Sequence, residues 1–270
     1  MARLDKLYLG TNTKMYKTIR DTEHFLGRLC DLTADISRDE MELFVIPSYT
    51  TLYHARQKVT NEQIKIGAQN MCWEEQGQFT GEISPLMLSE IGVDIVMAGH
   101  SERRHVFGEA DAEENLKVLS AVSHGFTALL CVGETQEQKE NGISDEILRM
   151  QLICGLKNVE PGMAANIWIA YEPVWAIGVN GKPASAEYAN EKHAVIKRCL
   201  AELFGPSGKD IPVLYGGSVN NENAVPLIRQ NHIDGLFTGR SAWDADNFNS
   251  IIRSVLPVFR EKKKGNESIL

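Results

Sequence analysis

The chain has 270 residues, of which 43% are hydrophobic and 24% charged, and its formal net charge is −8 at pH 7. This composition is typical of a globular protein, and the acidic balance excludes nucleic acid and anionic membranes as main partners, because both need a basic surface. No apolar run approaches the roughly 18 residues of a membrane-spanning helix. The first residues resemble no signal peptide and lead into a short strand, so we expect a cytoplasmic protein.

The cysteines predict no disulfide framework. Their number is odd and they are scattered along the chain without paired spacing. They are Cys30, Cys72, Cys131, Cys154 and Cys199. We therefore expect buried free thiols and no metal cluster.

Eight short apolar runs predict the strands of one sheet. They cover residues 7–10, 43–46, 64–68, 95–98, 128–132, 167–171, 213–215 and 235–238. Eight strand and helix units in a chain of this length favour a closed α/β barrel of the (β/α)8 type, which takes about 250 residues, over an open sheet. We assign residues 1–259 to the barrel and residues 260–270 to a polar C-terminal tail that frays.

Apolar residues recur at helical spacing between these runs. One stripe consists of Leu116, Leu119 and Val122. Another consists of Ile147, Met150, Ile153 and Leu156. Both stripes predict helices.

Glu172 directly follows a strand that is apolar on both faces, residues 167–171. Pro173 ends the strand ladder, and residues 177–183 contain the small residues and glycine of a mobile loop. Ser185 then precedes a helical pattern, which predicts a loop hinged between a strand and a helix. Two interpretations remain open here: a surface turn, or an acid positioned for chemistry.

The loops after the first and fourth strands carry further polar side chains. Lys14 follows Asn12 at the end of strand one, where an ammonium can meet an anionic substrate or lie in solvent. His100 precedes a short helix start after strand four, and the field of a helix N-terminus favours a neutral imidazole. A structural histidine is the alternative. We interpret Glu102 as the ion-pair partner of Arg103 or Arg104.

The loops after strands seven and eight are candidate anion sites. Tyr215-Gly216-Gly217-Ser218-Val219 and Thr238-Gly239-Arg240-Ser241 each place glycine and a hydroxyl directly after a strand. Glycine lets backbone N–H groups reach phosphate oxygens, and a phosphate site after strands seven and eight recurs in barrels. Each loop is also compatible with an ordinary turn, but all these loops lie at the same end of one barrel.

The chain resembles the triosephosphate isomerase family over almost its whole length. The motifs that carry the resemblance are Asn12-Thr13-Lys14-Met15, Gly67-Ala68-Gln69-Asn70, Thr80-Gly81-Glu82-Ile83-Ser84-Pro85, Gly99-His100-Ser101-Glu102-Arg103-Arg104, residues 171–178 and residues 215–219. The resemblance implies a TIM barrel and a cofactor-independent, metal-free aldose-ketose isomerase of small phosphosugars.

The same resemblance implies roles for individual residues. Glu172 would be the base that moves a proton between adjacent carbons, and His100 the neutral electrophile. Lys14, with Asn12 beside it, would stabilise the enediolate and phosphate charge. Phosphate contacts would come from Gly178, Ser218, Gly239 and Arg240. Closure of the loop at residues 177–183 would exclude water from the enediol phosphate.

Several positions depart from the usual family pattern. Thr13 replaces a tryptophan, Tyr16 replaces an asparagine, and the loop from Gly178 to Ser185 is one residue longer. The last phosphate loop, usually Gly-Gly-Ala-Ser, is Gly239-Arg240-Ser241-Ala242-Trp243. These changes resemble the branch that isomerises four-carbon ketose phosphates such as L-erythrulose 1-phosphate in polyol catabolism. We expect a tetrulose phosphate substrate, with triose phosphate as the alternative.

The resemblance also implies a homodimer, formed through the loop after strand three between Asn70 and Glu82. Thr80 matches the position that reaches the neighbouring active site. Two other classes remain as alternatives. Glu172 with Glu102 could be the carboxylate pair of a glycosidase, although the phosphate loops have no role there. A non-catalytic phosphosugar-binding barrel would be expected to lack the base or the histidine.

Overall fold

Eight parallel strands pair in chain order and close into a barrel, with β1 hydrogen-bonded to β8. The computed structural model describes residues 5–178 and 181–267. The strands are β1 (Leu7–Asn12), β2 (Met41–Ile46), β3 (Lys65–Ala68), β4 (Ile95–Ala98), β5 (Thr127–Val132), β6 (Ile167–Tyr171), β7 (Val213–Tyr215) and β8 (Gly235–Thr238). Each predicted run overlaps one strand, so the predicted (β/α)8 architecture is confirmed.

Helices surround the barrel and connect consecutive strands. They are α1 (Ile19–Thr33), α2 (Tyr49–Lys58), α3 (Pro85–Ile91), α4 (Ser101–His105), α5 (Asp111–Ser123), α6 (Gln136–Glu140), α7 (Ser144–Gly155), α8 (Ala186–Phe204), α9 (Ala224–Arg229) and α10 (Ala245–Glu267). Side-chain oxygens of Thr18, Ser84 and Ser185 each accept a free backbone N–H group in the first turn of α1, α3 and α8. These caps fix where the helices begin.

Aromatic rings from three strands pack together in the barrel interior, among smaller apolar side chains. The ring of Phe44 stacks on Phe237 with centroids 5.6 Å apart and lies 5.5 Å from Trp168. A Cβ at Gly10 would overlap the Phe44 ring, so glycine at this position makes room for it. A second apolar layer lies between the strands and the helices. The filled interior leaves the loops at the strand ends as the place for a site.

The buried face of α7 differs from the stripe that predicted the helix. Met150 and Ile153 are 48% and 46% exposed, whereas Leu148 and Leu152 are completely buried. In α5, Leu116 is likewise exposed. Both stretches contain enough apolar residues to form two stripes, so spacing predicted the helices but not the face that packs on the barrel.

The last helix continues through Glu267, beyond residue 259 where the predicted tail begins. Its polar residues bind the rest of the protein, because Lys262 donates to the carbonyl of Ile228 across 2.6 Å. Three ion pairs also join α10 to the beginning of the chain: Arg28 with Asp246, Asp35 with Arg253, and Glu40 with Arg260. Residues 260–267 are therefore a continuation of the helix. Residues 268–270 lie outside the described part.

The cysteines are all free thiols. Cys72, Cys131 and Cys199 are buried, as predicted, while Cys30 and Cys154 are half-buried.

Within residues 5–178 and 181–267, no helix combines the length and the apolar character that a bilayer crossing requires.

Candidate active site

A cavity of about 290 Å³ opens at the carboxyl ends of the strands. It is lined by residues at the carboxyl ends of β1 and β8 and in the loops after β1, β4, β6, β7 and β8. All eight residues predicted for the site line it: Asn12, Lys14, His100, Glu172, Gly178, Ser218, Gly239 and Arg240. The fold thus brings together side chains that lie up to 228 positions apart, from Asn12 to Arg240.

Glu172 is held at the exit of β6 with its carboxylate almost completely buried, at 3% exposure. Its own backbone N–H donates to the carbonyl of Val132 across 2.7 Å, which continues the pairing with β5. The backbone N–H of Ser101 donates to Oε2 across 3.3 Å, and Oε1 lies 3.5 Å from Nε2 of His100. The carboxylate therefore faces the imidazole.

His100 caps the N-terminus of α4, as its position before a helix start predicted. Nδ1 accepts a hydrogen bond from the backbone N–H of Glu102 across 3.1 Å. A backbone amide can only donate, so Nδ1 carries no proton and the ring is the neutral tautomer with its proton on Nε2. The carboxylate of Glu102 also lies 3.6 Å from Nδ1, but an unprotonated nitrogen forms no ion pair with it. The N–H of Nε2 is thus directed towards Glu172.

Lys14 pairs with Glu102, and this corrects the predicted partner of Glu102. The ammonium lies 2.7 Å from Oε1 of Glu102. Arg103 instead binds Glu109, and Arg104 binds Asp111. The pairing of Lys14 with Glu102 joins loops that are 88 positions apart, so the sequence alone favoured the nearer arginines.

The turn that carries Lys14 is fixed from several sides. Lys14 has a positive φ of 50°, which is unusual for a residue other than glycine. Its backbone N–H donates to Oδ1 of Asn12 across 2.8 Å. The side-chain amide of Gln69 donates to the same Oδ1 across 3.0 Å and to the carbonyl of Lys14 across 2.8 Å. These bonds hold a strained turn in place.

The loop after β7 suits an anion. The backbone N–H groups of Gly217 and Ser218 donate to no other residue in the described part of the chain, and both residues line the cavity. Free amides of this kind bind phosphate oxygens. A Cβ at Gly216 would lie 2.9 Å from Cγ of Glu172, so this glycine also makes room for the acid.

The loop after β6 returns to its own beginning. The N–H of Lys182 donates to the carbonyl of Trp175 across 3.3 Å. A Cβ at Gly181 would lie 2.6 Å from the backbone of Ala176, so only glycine fits there. Val179 and Asn180, which belong to the loop predicted to close, lie outside the described residues. Closure of the loop stays a prediction.

Glu134 was not identified from the sequence, although it follows β5 as Glu172 follows β6. Its carboxylate is fully buried and accepts bonds from the Tyr171 hydroxyl at 3.1 Å, the Trp175 indole at 2.9 Å and the Tyr188 hydroxyl at 2.9 Å. The ammonium of Lys139 lies 3.4 Å from the centroid of the Trp175 ring. Glu134 thereby anchors the start of the loop after β6. The signal that the sequence offered for Glu134 was an acidic residue just after a predicted strand.

The sequence pointed to Trp243 only as part of the altered last phosphate loop and gave it no role of its own. Trp243 lies after the short 3-10 helix Arg240–Ala242 and lines the cavity.

Within the described part of the chain, no group of three or more His, Cys, Asp or Glu side chains is arranged to hold a metal ion.

Comparison with known proteins identifies the family. A family model described as triosephosphate isomerase matches residues 7–255. The chain belongs to the triosephosphate isomerase family. It is therefore an enzyme of the isomerase class, and the family resemblance inferred from the sequence motifs is confirmed.

Among curated relatives, the chain is similar to proteins named L-erythrulose-1-phosphate isomerase. The protein of Rhizobium etli is 47% identical over 251 residues, which cover 92% of each chain. That of Rhizobium meliloti is 45% identical, covering 92% of this chain and 96% of the relative. Among solved structures, a triosephosphate isomerase of Bartonella henselae is 36% identical with a TM-score of 0.81, covering 94% of this chain and 99% of that one.

Proposed function

We propose that this protein is a cofactor-independent isomerase of tetrulose phosphates such as L-erythrulose 1-phosphate, acting through an enediolate. The observation that carries the proposal is the 3.5 Å approach of the Glu172 carboxylate to the neutral imidazole of His100, inside a cavity with free phosphate-binding amides. Proton transfer beside a carbonyl requires a positioned base and an electrophile at the oxygen where charge develops. Both groups are present in one cavity.

Each catalytic side chain has a role that fits its surroundings. Glu172 removes a proton from the carbon beside the carbonyl and returns it to the neighbouring carbon. His100 donates from Nε2 to the oxygen that becomes negative, because its Nδ1 is held unprotonated by the N–H of Glu102. Lys14, held by Asn12, stabilises the enediolate and phosphate charge.

The phosphate end of the substrate is bound by loop amides. Gly217 and Ser218 present backbone N–H groups that have no other described acceptor. Gly239 and Arg240 line the cavity from the loop after β8, and Gly178 lines it from the loop after β6. Negative charge on the phosphate is compatible with an acidic protein because the binding groups are local amides and cations.

The substrate assignment rests on the relatives. Proteins 45% to 47% identical over more than 90% of the chain carry the name L-erythrulose-1-phosphate isomerase. The altered loops support it, since Arg240 and the longer loop after Gly178 depart from the usual triose pattern. In a four-carbon 1-phosphate, the same proton transfer moves the carbonyl between C2 and C3. In a triose phosphate it interconverts an aldose and a ketose.

Triose phosphate is the second candidate substrate. The solved triosephosphate isomerase of Bartonella henselae is similar over 94% of this chain, and the two substrates need the same base, electrophile and phosphate site. Sites for the two substrates differ only in the space they must provide around the carbon beyond the carbonyl.

The glycosidase and binding-only alternatives fit the site less well. The His100 ring contacts Glu102 on one side and Glu172 on the other, at 3.6 Å and 3.5 Å. An imidazole between the two carboxylates leaves no room there for a glycosidic bond. Glu102 is also occupied by Lys14. A protein that only binds phosphosugars would need neither the buried base nor a histidine held in one tautomer.

We also propose a homodimer that places the loop between Asn70 and Glu82 in a neighbouring subunit. Large apolar side chains are exposed on the loops and helices after β1, β3 and β4: Met15 (94%), Phe79 (45%), Met87 (54%), Val106 (72%) and Phe107 (66%). Exposed apolar surface on neighbouring loops marks an association site. Met15→Glu should produce monomers in light scattering and lower the activity, whereas a dimeric variant would contradict this interface.

We also propose a cytoplasmic location, because the five cysteines are free thiols, as is typical of proteins in a reducing compartment.

The substrate is tested by measuring kcat/KM on L-erythrulose 1-phosphate, D-erythrulose 4-phosphate and glyceraldehyde 3-phosphate with one enzyme preparation. We expect a preference for the four-carbon substrates. Comparable or better turnover of the triose would move the assignment to triosephosphate isomerase. No turnover of any of them, with inorganic phosphate still bound, would instead support the binding-only alternative.

A further inference from the structure

Trp243 separates two cavities at the mouth of the barrel. One is the active-site cavity, and the other is a cavity of about 250 Å³ lined by Tyr16, Lys17 and the beginning of α1. Among the described residues, Trp243 alone lines both. Its ring packs on Tyr16 with centroids 4.5 Å apart. The indole therefore stands between the first and the last loop of the barrel.

The indole N–H joins these two loops directly. It donates to the backbone carbonyl of Asn12 across 2.9 Å. On the other side, the backbone N–H of Trp243 donates to the carbonyl of Arg240 across 3.1 Å. Two consecutive hydrogen bonds through one residue thus connect the last phosphate loop with the turn that precedes Lys14.

This connection matters because Lys14 has a strained backbone. Its positive φ of 50° costs free energy and persists only where the surroundings enforce it. The side chain of Asn12 holds the turn from the end of β1, and Gln69 holds it from the loop after β3. The backbone carbonyl of Asn12 is held by the indole of Trp243. Thr13, in the position where the family usually has tryptophan, has an unpartnered hydroxyl among the described residues.

We propose that Trp243 is a positioning residue that acts through Lys14. Its indole N–H holds the Asn12 carbonyl in place. This contact fixes the position of the Lys14 ammonium relative to the phosphate loop that begins at Gly239. Trp243, which comes late in the chain, thereby supports the first loop, in which Thr13 occupies the position of the family's usual tryptophan. The inference rests on the proposed function, because it assigns Trp243 to the support of a catalytic lysine.

Trp243→Phe tests the hydrogen bond, since phenylalanine keeps a ring against Tyr16 but has no N–H. We expect kcat to fall about threefold to tenfold, the range of one neutral hydrogen bond. KM for the phosphosugar should change less than twofold, and the melting temperature should stay within a few degrees. Tyr16→Leu is the control for the ring contact, because Tyr16 is 68% exposed and packs on the indole without taking part in its hydrogen bond to Asn12. Its kcat should stay within twofold.

The same substitution in a Lys14→Ala background tests whether Trp243 acts through the lysine. If it does, Trp243→Phe has no further effect on kcat once the ammonium is gone. An equal fold loss in both backgrounds, an unchanged kcat in the single variant, or a loss that follows a lowered melting temperature would overturn the proposal. All assays use whichever phosphosugar the unmodified enzyme turns over best. Failure of that enzyme on every phosphosugar would refute the proposed function instead.

Discussion

Nε2 of His100 lies 3.5 Å from Oε1 of Glu172, and the two side chains are only 5% and 3% exposed. This buried pair depends on the backbone, because the N–H of Ser101 holds the carboxylate and the N–H of Glu102 holds the imidazole. Two successive amides at the start of α4 therefore orient both the base and the electrophile. Changes in either side chain should affect chemistry more than folding.

Shortening the base should abolish most turnover. Glu172→Asp withdraws the carboxylate by one methylene from the reacting carbon, and misplacement by about 1 Å costs on the order of 100-fold in rate. We expect kcat to fall by at least that factor while the melting temperature stays close to that of the unmodified enzyme. Glu62→Asp, at an exposed position, is the control. A kcat within tenfold would remove Glu172 as the base.

Neutralising Glu134 should loosen the loop after β6. Three donors converge on Oε1 of its buried carboxylate, and the Tyr171 hydroxyl also lies 3.1 Å from Oε2. Glutamine keeps one acceptor oxygen but removes the charge that strengthens these hydrogen bonds, and a hydrogen bond to a charged group contributes about 1.5–3 kcal/mol. Glu134→Gln should therefore lower both the melting temperature and kcat. The exposed Glu137→Gln should change neither, and equal behaviour of the two variants would contradict the anchoring role.

A methyl group at Gly181 should disturb the same loop sterically. The added Cβ would lie 2.6 Å from the backbone of Ala176, which cannot move as a side-chain tip can. We expect Gly181→Ala to reduce kcat severalfold by displacing the loop. Gly162→Ala is the matched control, since its Cβ would meet no atom within 4 Å. Normal kinetics of the Gly181 variant would show that the loop accommodates the methyl group.

Glu114 should make stability depend on pH. Burial raises its pKa to about 7, and Lys117 and Arg104 oppose the shift only in part. The folded protein thus holds this proton more tightly than the unfolded chain does. The stabilisation is complete below the ordinary glutamate pKa and is lost as the pH rises through about 7.

Glu114→Gln removes that dependence. The variant should be more stable than the unmodified protein at pH 8.5, and the difference should shrink at pH 5. Urea unfolding at pH 5, 7 and 8.5 measures it. The exposed Glu90→Gln should leave the pH profile unchanged. A constant difference between the Glu114 variant and the unmodified protein at all three values would contradict the assigned pKa.

The sequence predicted the barrel because its strands are buried on both faces. Residues 95–98 and 167–171 are apolar throughout, and each forms a strand. The buried faces of the outer helices were harder to predict, since α7 has two apolar stripes and their spacing does not show which one faces the barrel. The choice depends on how the helix docks, which is a property of the closed barrel.

Site residues were predictable where they follow a strand directly, as Glu172 and His100 do. Their partners were not. Glu102 binds Lys14 in preference to the neighbouring arginines because α4 directs the arginines towards Glu109 and Asp111. Trp243 acts across 231 positions of sequence. Such contacts are set by the closure of the barrel and leave no local pattern.

The contact between Trp243 and Asn12 also bears on the order in which the enzyme assembles. β1 can pair with β8 only after β8 has been synthesised, and three ion pairs that join α10 to α1 and to the segment between α1 and β2 close the same seam. Long-range contacts of this kind form late in folding. Asn12 is therefore synthesised 231 positions before the tryptophan that binds its carbonyl, and the turn at Lys14 gains this support only when the last strand and its loop join the barrel.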